Sequence, residues 1–498
     1  MKRPVVVQVL DSIGKNRGGL TRAVFERFRL LSKDRRAILV TVANQNDVNL
    51  VFDDLKNEGI IPAHTELINF YADLRATDRR TLPRVSMPHE HWEKGVPYLG
   101  AKEPTQHGTM IRYFKDGSFI GLVYRDGNNK LRHVDKHFEN SPWTREYRDF
   151  CIDGAICLRE YYDDDNKPRF RVYIDSSERP YLSAWVTPDG YEYRTVEHLA
   201  NASLHHGDTR SANAAWLQRK LSGIGKATVY TDEPRTTFAL AINDPNVKHV
   251  TAIHTTHYKN NRDNLDGIKH WAKFYDQFRN NISQVIFFTE TQRRDFIEDL
   301  NFSEQNTELI PHTAPLVEAS SIPMPTRDRN LFVTVSRLAD DKRIDHSIRA
   351  FAKVLPNFPD ARYEIWGSGP AKARLQSLID EMGLNENVSL KGHTAEPLMQ
   401  FSRAAASILT SKYEGFGLVI TESFACGTPV IAYDVIYGPR DVISPSNGTL
   451  VPDGNIEALA SAMTESLAGS WHAKSSGARE SASQYSRERW ATGWLSTL

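Results

Sequence analysis

The chain has 498 residues, 40% hydrophobic and 25% charged, with 62 Lys and Arg against 62 Asp and Glu. That length exceeds a single core and predicts two or three domains of an ordinary globular class. The zero formal charge excludes a general nucleic-acid binder, which carries a basic excess, and leaves room for a local basic patch facing an anionic partner.

Met1-Lys2-Arg3-Pro4 runs straight into Val5-Val6-Val7-Gln8-Val9-Leu10. This apolar run is too short for a signal peptide and stops at Asp11, so it reads as a buried first strand. A polar loop with Gly14, Gly18 and Gly19 follows. Thr21 or a neighbour then caps a helix with Val24, Phe25, Phe28 and Leu31 on one face. Ala37 to Val42 is the next strand. Strand, glycine turn, helix and strand make a βαβ unit of the doubly wound type.

The pattern changes near residue 75. From about 85 to 205 apolar and polar residues alternate between turn sequences, as in Ile111 to Phe114, Lys115-Asp116-Gly117-Ser118, Phe119 to Tyr124 and Arg125-Asp126-Gly127-Asn128. Cys157 to Tyr162, Phe170 to Ile174 and Leu182 to Val186 continue it up to Pro188-Asp189-Gly190. Asp-Gly between alternating runs is a strong hairpin signal. The segment is an antiparallel β insertion, too long for a loop of a compact domain.

The α/β pattern resumes near 210. Thr228 to Thr231, Val250 to Ile253 and Val285 to Thr289 read as strands, with a helix over Thr291 to Leu300. Pro311 to Pro325 contains four prolines and reads as a linker. A second α/β domain opens at Leu331 to Val335. Helices over 345–355 and 371–382 alternate with strands at Tyr363 to Trp366, Val388 to Leu390, Ala406 to Thr410, Pro429 to Tyr433 and Gly448 to Val451. The end, 474–498, reads as helix with Trp490 and Trp494. The expected division is a Rossmann-like domain of 1–80 and 210–318, an insertion of 81–209, a second Rossmann-like domain of 319–473, and a terminal helix. Cys151, Cys157 and Cys426 form no CxxC pair, so reduced thiols are expected. No run of about 18 apolar residues predicts a membrane span.

Glu414 and Glu422 stand eight positions apart, separated by Gly415-Phe416-Gly417 and the apolar Leu418-Val419-Ile420. The glycines favour a loop through Gly417 and then a helix with Glu422 in its first turns. Free N–H groups at such a helix start attract phosphate, and two carboxylates flank it as acceptors for hydroxyls. Arg337 and Lys342, in Ser336-Arg337-Leu338-Ala339-Asp340-Asp341-Lys342-Arg343, follow a strand's carboxyl end, where open α/β sheets bind ligands. They are cations able to neutralise a leaving diphosphate without a metal, or else part of a solvated loop. Gly18 and Gly19 either admit a diphosphate or sugar or simply make a tight turn; there is no GxGxxG, which disfavours a nicotinamide dehydrogenase. Gly367, in Trp366-Gly367-Ser368-Gly369, is a second glycine turn after a strand. His254, just past the Val250 run, projects at a strand's carboxyl edge; with His257 it lacks a matching third metal ligand. Asp163-Asp164-Asp165 lies between predicted strands and reads as a solvated turn.

In this order and spacing the motifs resemble the retaining glycosyltransferases of the GT-B fold that carry an E-x7-E motif. The match spans both Rossmann-like halves and includes Ala425-Cys426-Gly427-Thr428-Pro429-Val430-Ile431. Tyr433 to Asp441 contains a YGP-x-D segment, and Ile253 to His257 an HxxH segment. With the β insertion, these are similar to the bacterial wall teichoic acid α-glycosyltransferases and to the enzymes that modify serine-rich adhesins. The resemblance implies an α/β fold of two Rossmann-like domains facing a cleft, the first for acceptor and the second for nucleotide sugar. It implies a UDP-sugar-dependent retaining hexosyltransferase that needs no metal. Arg337 and Lys342 would meet the diphosphate, Glu414 the transferred sugar, Glu422 the ribose, and the amides near Gly417 and Leu418 the phosphates. Gly18, Gly19 and Gly367 would line the donor, and His254 would lie near donor sugar and acceptor. The implied acceptor is a polyanionic poly(polyol phosphate) teichoic acid; Ser/Thr of an adhesin, or a non-catalytic partner role, are the alternatives. Arg75, Arg79, Arg80, Arg112, Arg125, Lys130 and Arg132 would supply a basic groove, or be ordinary solvated faces. A cytoplasmic homo-oligomer assembled through the insertion is implied, with peripheral contact at the inner membrane face left open.

Overall fold

The computed structural model describes residues 4–14, 18–45, 47–77, 81–85, 87, 89–92, 98–116, 118–138, 141–152, 155–232, 234–259, 268–315 and 327–498. Gly117, Arg79, Arg80 and residues 316–325 of the predicted linker lie outside them. The chain clusters into two compact units. One comprises 1–15, 36–229 and 235–247, the other 16–35, 230–234 and 248–498.

In the first unit the run Val5–Leu10 is buried at every position, as expected of a strand covered on both faces. It pairs in parallel with Ala37–Thr41, which pairs in parallel with Glu66–Asn69. The strand Ala227–Thr231 lies on the other side of Val5–Leu10. Val7, Val9, Ile38 and Val40 meet Trp216 and Leu217 of the helix Thr209–Leu221 in one core. The helix Val48–Asn57 and the short strand Glu66–Asn69 had no separate sequence expectation.

The insertion is a ten-stranded antiparallel sheet from Tyr98–Thr105 to Ser203–Asp208, in which each strand pairs with its sequence neighbours. The expected hairpins are there. At Arg125 to Asn128 the Asp126 carboxylate accepts from the Asn128 and Lys130 amides, which is how a short acidic side chain stabilises a turn. Asp163 does the same for Asp165 and Lys167 and also accepts from Arg169, so the triple aspartate is a turn. The basic segment is largely self-compensated: Arg112 pairs with Glu103, Arg132 with Asp126, and Arg125 donates to the Asn129 carbonyl.

The second unit contains the parallel strands Val247–Ala252 (from residue 248), Ile282–Phe287 and Thr307–Leu309. It also contains a six-stranded parallel sheet in the order Val388–Gly392, Arg362–Trp366, Asp328–Val335, Ala404–Leu409, Val430–Tyr433, Gly448–Val451. In chain order that is 3-2-1-4-5-6, the doubly wound arrangement, whose switch point falls between Asp328–Val335 and Ala404–Leu409. Two local expectations are corrected. Thr21 does not cap the first helix, which spans Gly19–Leu31 behind Gly18 with no side-chain cap. The terminal helix is two helices, Trp471–Gln484 and Arg487–Leu495. Ser486, between them, accepts from the Arg489 amide and starts the second. Among the described residues no helix is long and apolar enough to cross a membrane.

Candidate active site

The switch point of the six-stranded sheet places two loops side by side. Asp328–Val335 runs into Ser336 to Arg343, and Ala404–Leu409 into Thr410 to Gly417. The loops are zipped together by backbone and side-chain bonds: the Lys412 amide donates to the Asp341 carbonyl at 2.7 Å, the Thr410 hydroxyl to the Lys342 carbonyl at 2.9 Å, and Arg343 to the Thr410 and Ser411 carbonyls at 3.0 and 2.8 Å. The result is that Lys342 Nζ lies 2.7 Å from Glu414 Oε1, with the two side chains 17% and 14% exposed. Ser411 Oγ donates to the same oxygen at 2.6 Å. Arg337 stands at the same sheet edge, 73% exposed, and meets Asp341 at 3.4 Å.

Gly417 has φ +81° and ends the loop in left-handed backbone, after which the helix Leu418–Ala425 begins. That matches the expectation of a loop through Gly417 with Glu422 in the helix behind it. The Ile420 amide donates to the Gly417 carbonyl at 2.8 Å, and the amides before it, at Leu418 and Val419, precede the helix's own hydrogen-bonded turn. The Glu422 side chain is 13% exposed and lies 3.4 Å from Arg22 Nη2. Burial raises its carboxyl above the ordinary range, and the Arg22 charge only partly offsets this.

A cavity of about 380 Å³ is lined by Gly19, Arg22, His312, Leu418, Glu422 and Trp490, among others. Its size suits a small-molecule ligand. At Gly19 an added Cβ would come within 2.9 Å of Leu418 Cδ1, whereas at Gly18 it would meet nothing within 4 Å. Gly367 has φ +142°, and a Cβ there would fall 1.8 Å from the Ser336 carbonyl oxygen. Gly367 therefore lets its turn pass against the loop that carries Arg337.

His254 joins the same constellation, because the Gly415 Cα packs on its carbonyl: a Cβ at 415 would sit 2.0 Å from that oxygen. The His254 ring packs on Phe288, with centroids 4.4 Å apart, and His312 stacks on the same ring at 3.9 Å. Its Nε2 is 2.8 Å from Asp232 Oδ1. Burial of Asp232 works against its charge, but Arg27 with two hydrogen bonds and His254 with one hold the carboxyl well below the usual range. His257 has a different place. Its Nε2 bonds Asp299 at 2.9 Å, its ring stacks 6.4 Å from Tyr437, and Tyr437 donates to Asp295 at 3.1 Å. The HxxH and YGP segments thus meet, with only the first histidine at the site. Among the described residues no cluster of His, Cys, Asp or Glu is set to hold a metal.

Every site residue expected from the sequence lies in the second unit. Lys342 and Glu414 touch each other, Gly415 brings His254 to them, and Gly367 backs the Arg337 loop. Sequence reasoning missed Arg22, Arg27, Asp232, Ser411 and His312. Two of these carried a signal. Arg27 interrupts the apolar helix face of Val24, Phe25, Phe28 and Leu31, and Asp232 is the first residue past a buried strand's carboxyl end.

The buried imidazoles also make stability pH-dependent. Burial depresses His254 and His257 below 6.5, against the pull of Asp232 and Asp299, and depresses His312 further. The unfolded chain therefore takes up protons first as pH falls. The stabilisation is complete above about pH 6.5 and is lost below it, at up to about 1.4 kcal/mol per group per pH unit. Glu422, with its raised folded value, has the opposite sign, one group against three. We expect the urea midpoint to be lower at pH 5.5 than at pH 7.5; equal midpoints would mean that the rings are not held neutral.

Residues 321–489 match the family model of glycosyl transferases group 1. The poly(glycerol-phosphate) alpha-glucosyltransferase of Bacillus subtilis is 26% identical to this chain, over 98% of it and 74% of that protein. The poly(ribitol-phosphate) alpha-N-acetylglucosaminyltransferase of Staphylococcus aureus is 24% identical, over 91% of each. Among solved structures, an S. aureus TarM variant in complex with Fondaparinux, alpha-GlcNAc-glycerol and UDP has a TM-score of 0.80 at 22% identity, over 99% of both chains. The pneumococcal O-GlcNAc transferase GtfA, in complex with UDP and GlcNAc, has a TM-score of 0.68 at 18% identity, over 99% of this chain and 98% of that one. The fold is thus α/β of the GT-B type, with parallel sheets and an antiparallel insertion.

Proposed function

We propose that this chain, whose residues 321–489 carry a glycosyl transferase group 1 domain, is a UDP-sugar-dependent retaining α-glycosyltransferase that moves glucose or N-acetylglucosamine to a poly(polyol phosphate) such as wall teichoic acid. The observation that carries this reading is the Lys342–Glu414 contact of 2.7 Å at the sheet's switch point, directly before the start of the helix Leu418–Ala425. A nucleotide sugar needs both halves of that arrangement: cations and N–H groups for a diphosphate, carboxylate oxygens for hydroxyls.

In this mechanism the anomeric C–O bond to the diphosphate breaks as an oxocarbenium-like centre forms. Negative charge grows on the leaving phosphate, where Arg337 and Lys342 meet it; stabilisation that strengthens toward the transition state is what accelerates a reaction. The acceptor hydroxyl attacks from the same face and gives its proton to the leaving phosphate. Glu414 orients the sugar hydroxyls, Glu422 accepts from the ribose, and the amides at Gly417 and Leu418 hold phosphate oxygens. Gly18 and Gly19 border the donor, Gly367 supports the loop beneath it, and His254 stands where donor sugar and acceptor meet. The charge balance is met by side chains, so the proposal includes no metal. It also includes the domain division read from the sequence, a cytoplasmic location and assembly into a homo-oligomer through the insertion.

The activities of the Bacillus subtilis and Staphylococcus aureus relatives, both polyol-phosphate glycosyltransferases that align over most of this chain, favour a polyol-phosphate acceptor over a serine-rich peptide. The test is a donor screen with purified protein, followed by transfer to poly(glycerol phosphate), poly(ribitol phosphate) and a serine-rich peptide. Labelled sugar on a polyol phosphate is expected. Labelling of the peptide alone would move the reading to the adhesin enzymes, and no hydrolysis of any UDP-sugar would end it.

A further inference from the structure

Behind the site lies a buried chain of charges with no part in the reaction as just derived. Arg27, on the helix Gly19–Leu31, has a side chain only 3% exposed, and that of Asp232 is 0% exposed. Arg27 Nη1 donates to Asp232 Oδ1 at 2.7 Å and Nη2 to Oδ2 at 2.6 Å. The guanidinium sits over the rings of Trp494 at 4.5 Å and Tyr230 at 5.3 Å. Oδ1 of Asp232 also faces His254 Nε2 at 2.8 Å.

A buried ion pair is weak evidence for stability, since apolar residues of similar volume commonly do as well. Its geometry here serves something else. The bidentate guanidinium keeps Asp232 ionised, so the proton in the contact with His254 belongs to the ring: Nε2–H donates and the carboxylate accepts. In a neutral imidazole the other nitrogen is then an acceptor. The main chain of His254 is fixed independently, because the Gly415 Cα rests on its carbonyl, and its ring is backed by Phe288. With backbone, ring face and Nε2 all held, Nδ1 has one direction left.

We propose that Arg27 and Asp232 are positioning residues that lock His254 as the Nε2–H tautomer, so that Nδ1 is presented as a hydrogen-bond acceptor for a hydroxyl of the reacting sugars. The role of that acceptor rests on the glycosyltransferase reading; the locked tautomer does not.

The experiment is long-range 1H–15N NMR of the full chain with 15N-labelled histidine, the His254 signal being assigned by its loss in His254→Gln. The expected wild-type signature is Nε2–H. Two variants follow it with steady-state transfer: Asp232→Asn, and the double substitution Arg27→Met with Asp232→Leu, which removes both charges together and leaves no buried charge uncompensated. Both are expected to lose the Nε2–H signature. Both should also lower kcat about 10²-fold, the scale of a misplaced reacting group, with KM for the UDP-sugar within about threefold of wild type. An Nδ1–H signature in wild type overturns the proposal, as does turnover within about threefold of wild type by the double variant. An Nε2–H signature in a protein that transfers no sugar would uphold the lock and sink the reaction.

Discussion

Lys342→Ala is expected to lower kcat/KM for sugar transfer by about 10²–10³, or about 2.7–4 kcal/mol. The size of that loss separates two readings of the same contact. The two side chains are mostly buried, 17% and 14% exposed, so if the 2.7 Å contact with Glu414 only braced the loop, its loss would lower the melting temperature and leave the turnover of the folded protein nearly unchanged. If Lys342 meets the leaving diphosphate, the lost charge appears in the barrier. The variant also leaves Glu414 without its cation, beside Ser411, and turns a negative charge toward a negative substrate. Arg337→Ala tests the same role with less structural noise, since Arg337 is 73% exposed and its contact with Asp341 is a long 3.4 Å. Its melting temperature should stay at the wild-type value while turnover falls by a similar factor. Steady-state release of UDP in the presence of acceptor measures both variants, and near-normal turnover by either removes the charge-stabilisation role from that residue.

The parallel strands were legible because strands covered on both faces must be continuous apolar runs, and Val5 to Leu10 and Leu331 to Val335 are such runs. The hairpins of the insertion were legible from turns such as Asp126-Gly127. The sequence reading also reached Lys342 and Glu414 separately, each just past a strand. What it could not supply was their contact, because 72 residues separate them and their meeting depends on the 3-2-1-4-5-6 strand order. The buried charges were hidden for a related reason. Arg27 and Asp232 are 205 residues apart, and a lone charge on an apolar helix face has no meaning until its counter-ion is known. His257 shows the reverse limit. Beside His254 in sequence it looked like a partner in one site, yet it turns to Asp299 and Tyr437, because the chain leaves regular strand geometry after Ala252 and the two rings part.

Glycines are where sequence reasoning was most evenly divided between turn and ligand contact, and substitution by alanine separates the two. At Gly367 a methyl group would sit 1.8 Å from the Ser336 carbonyl oxygen on backbone with φ +142°, and at Gly415 one would sit 2.0 Å from the His254 carbonyl oxygen. Both obstacles are main chain, so no flexible side chain can step aside. Overpacking of about 1–3 kcal/mol applies at each, and Gly367 adds about 1–3 kcal/mol of backbone strain. Gly367→Ala is therefore expected to lose about 2–6 kcal/mol of unfolding free energy, read from urea denaturation. It should lose transfer as well, because the displaced backbone is the loop that carries Arg337 and Lys342. Gly415→Ala should separate His254 from Glu414 and lose transfer at a smaller cost in stability. Gly18→Ala is the control that gives these results meaning. Gly18 has an ordinary extended backbone, φ −70° and ψ 172°, and its missing Cβ faces open space. Its stability should stay within about 0.5 kcal/mol of wild type. A fall in transfer at unchanged stability would then come from the methyl group meeting the donor. If Gly18→Ala is silent in both measurements, Gly18 is a turn residue and the close approach to the donor belongs to Gly19 alone.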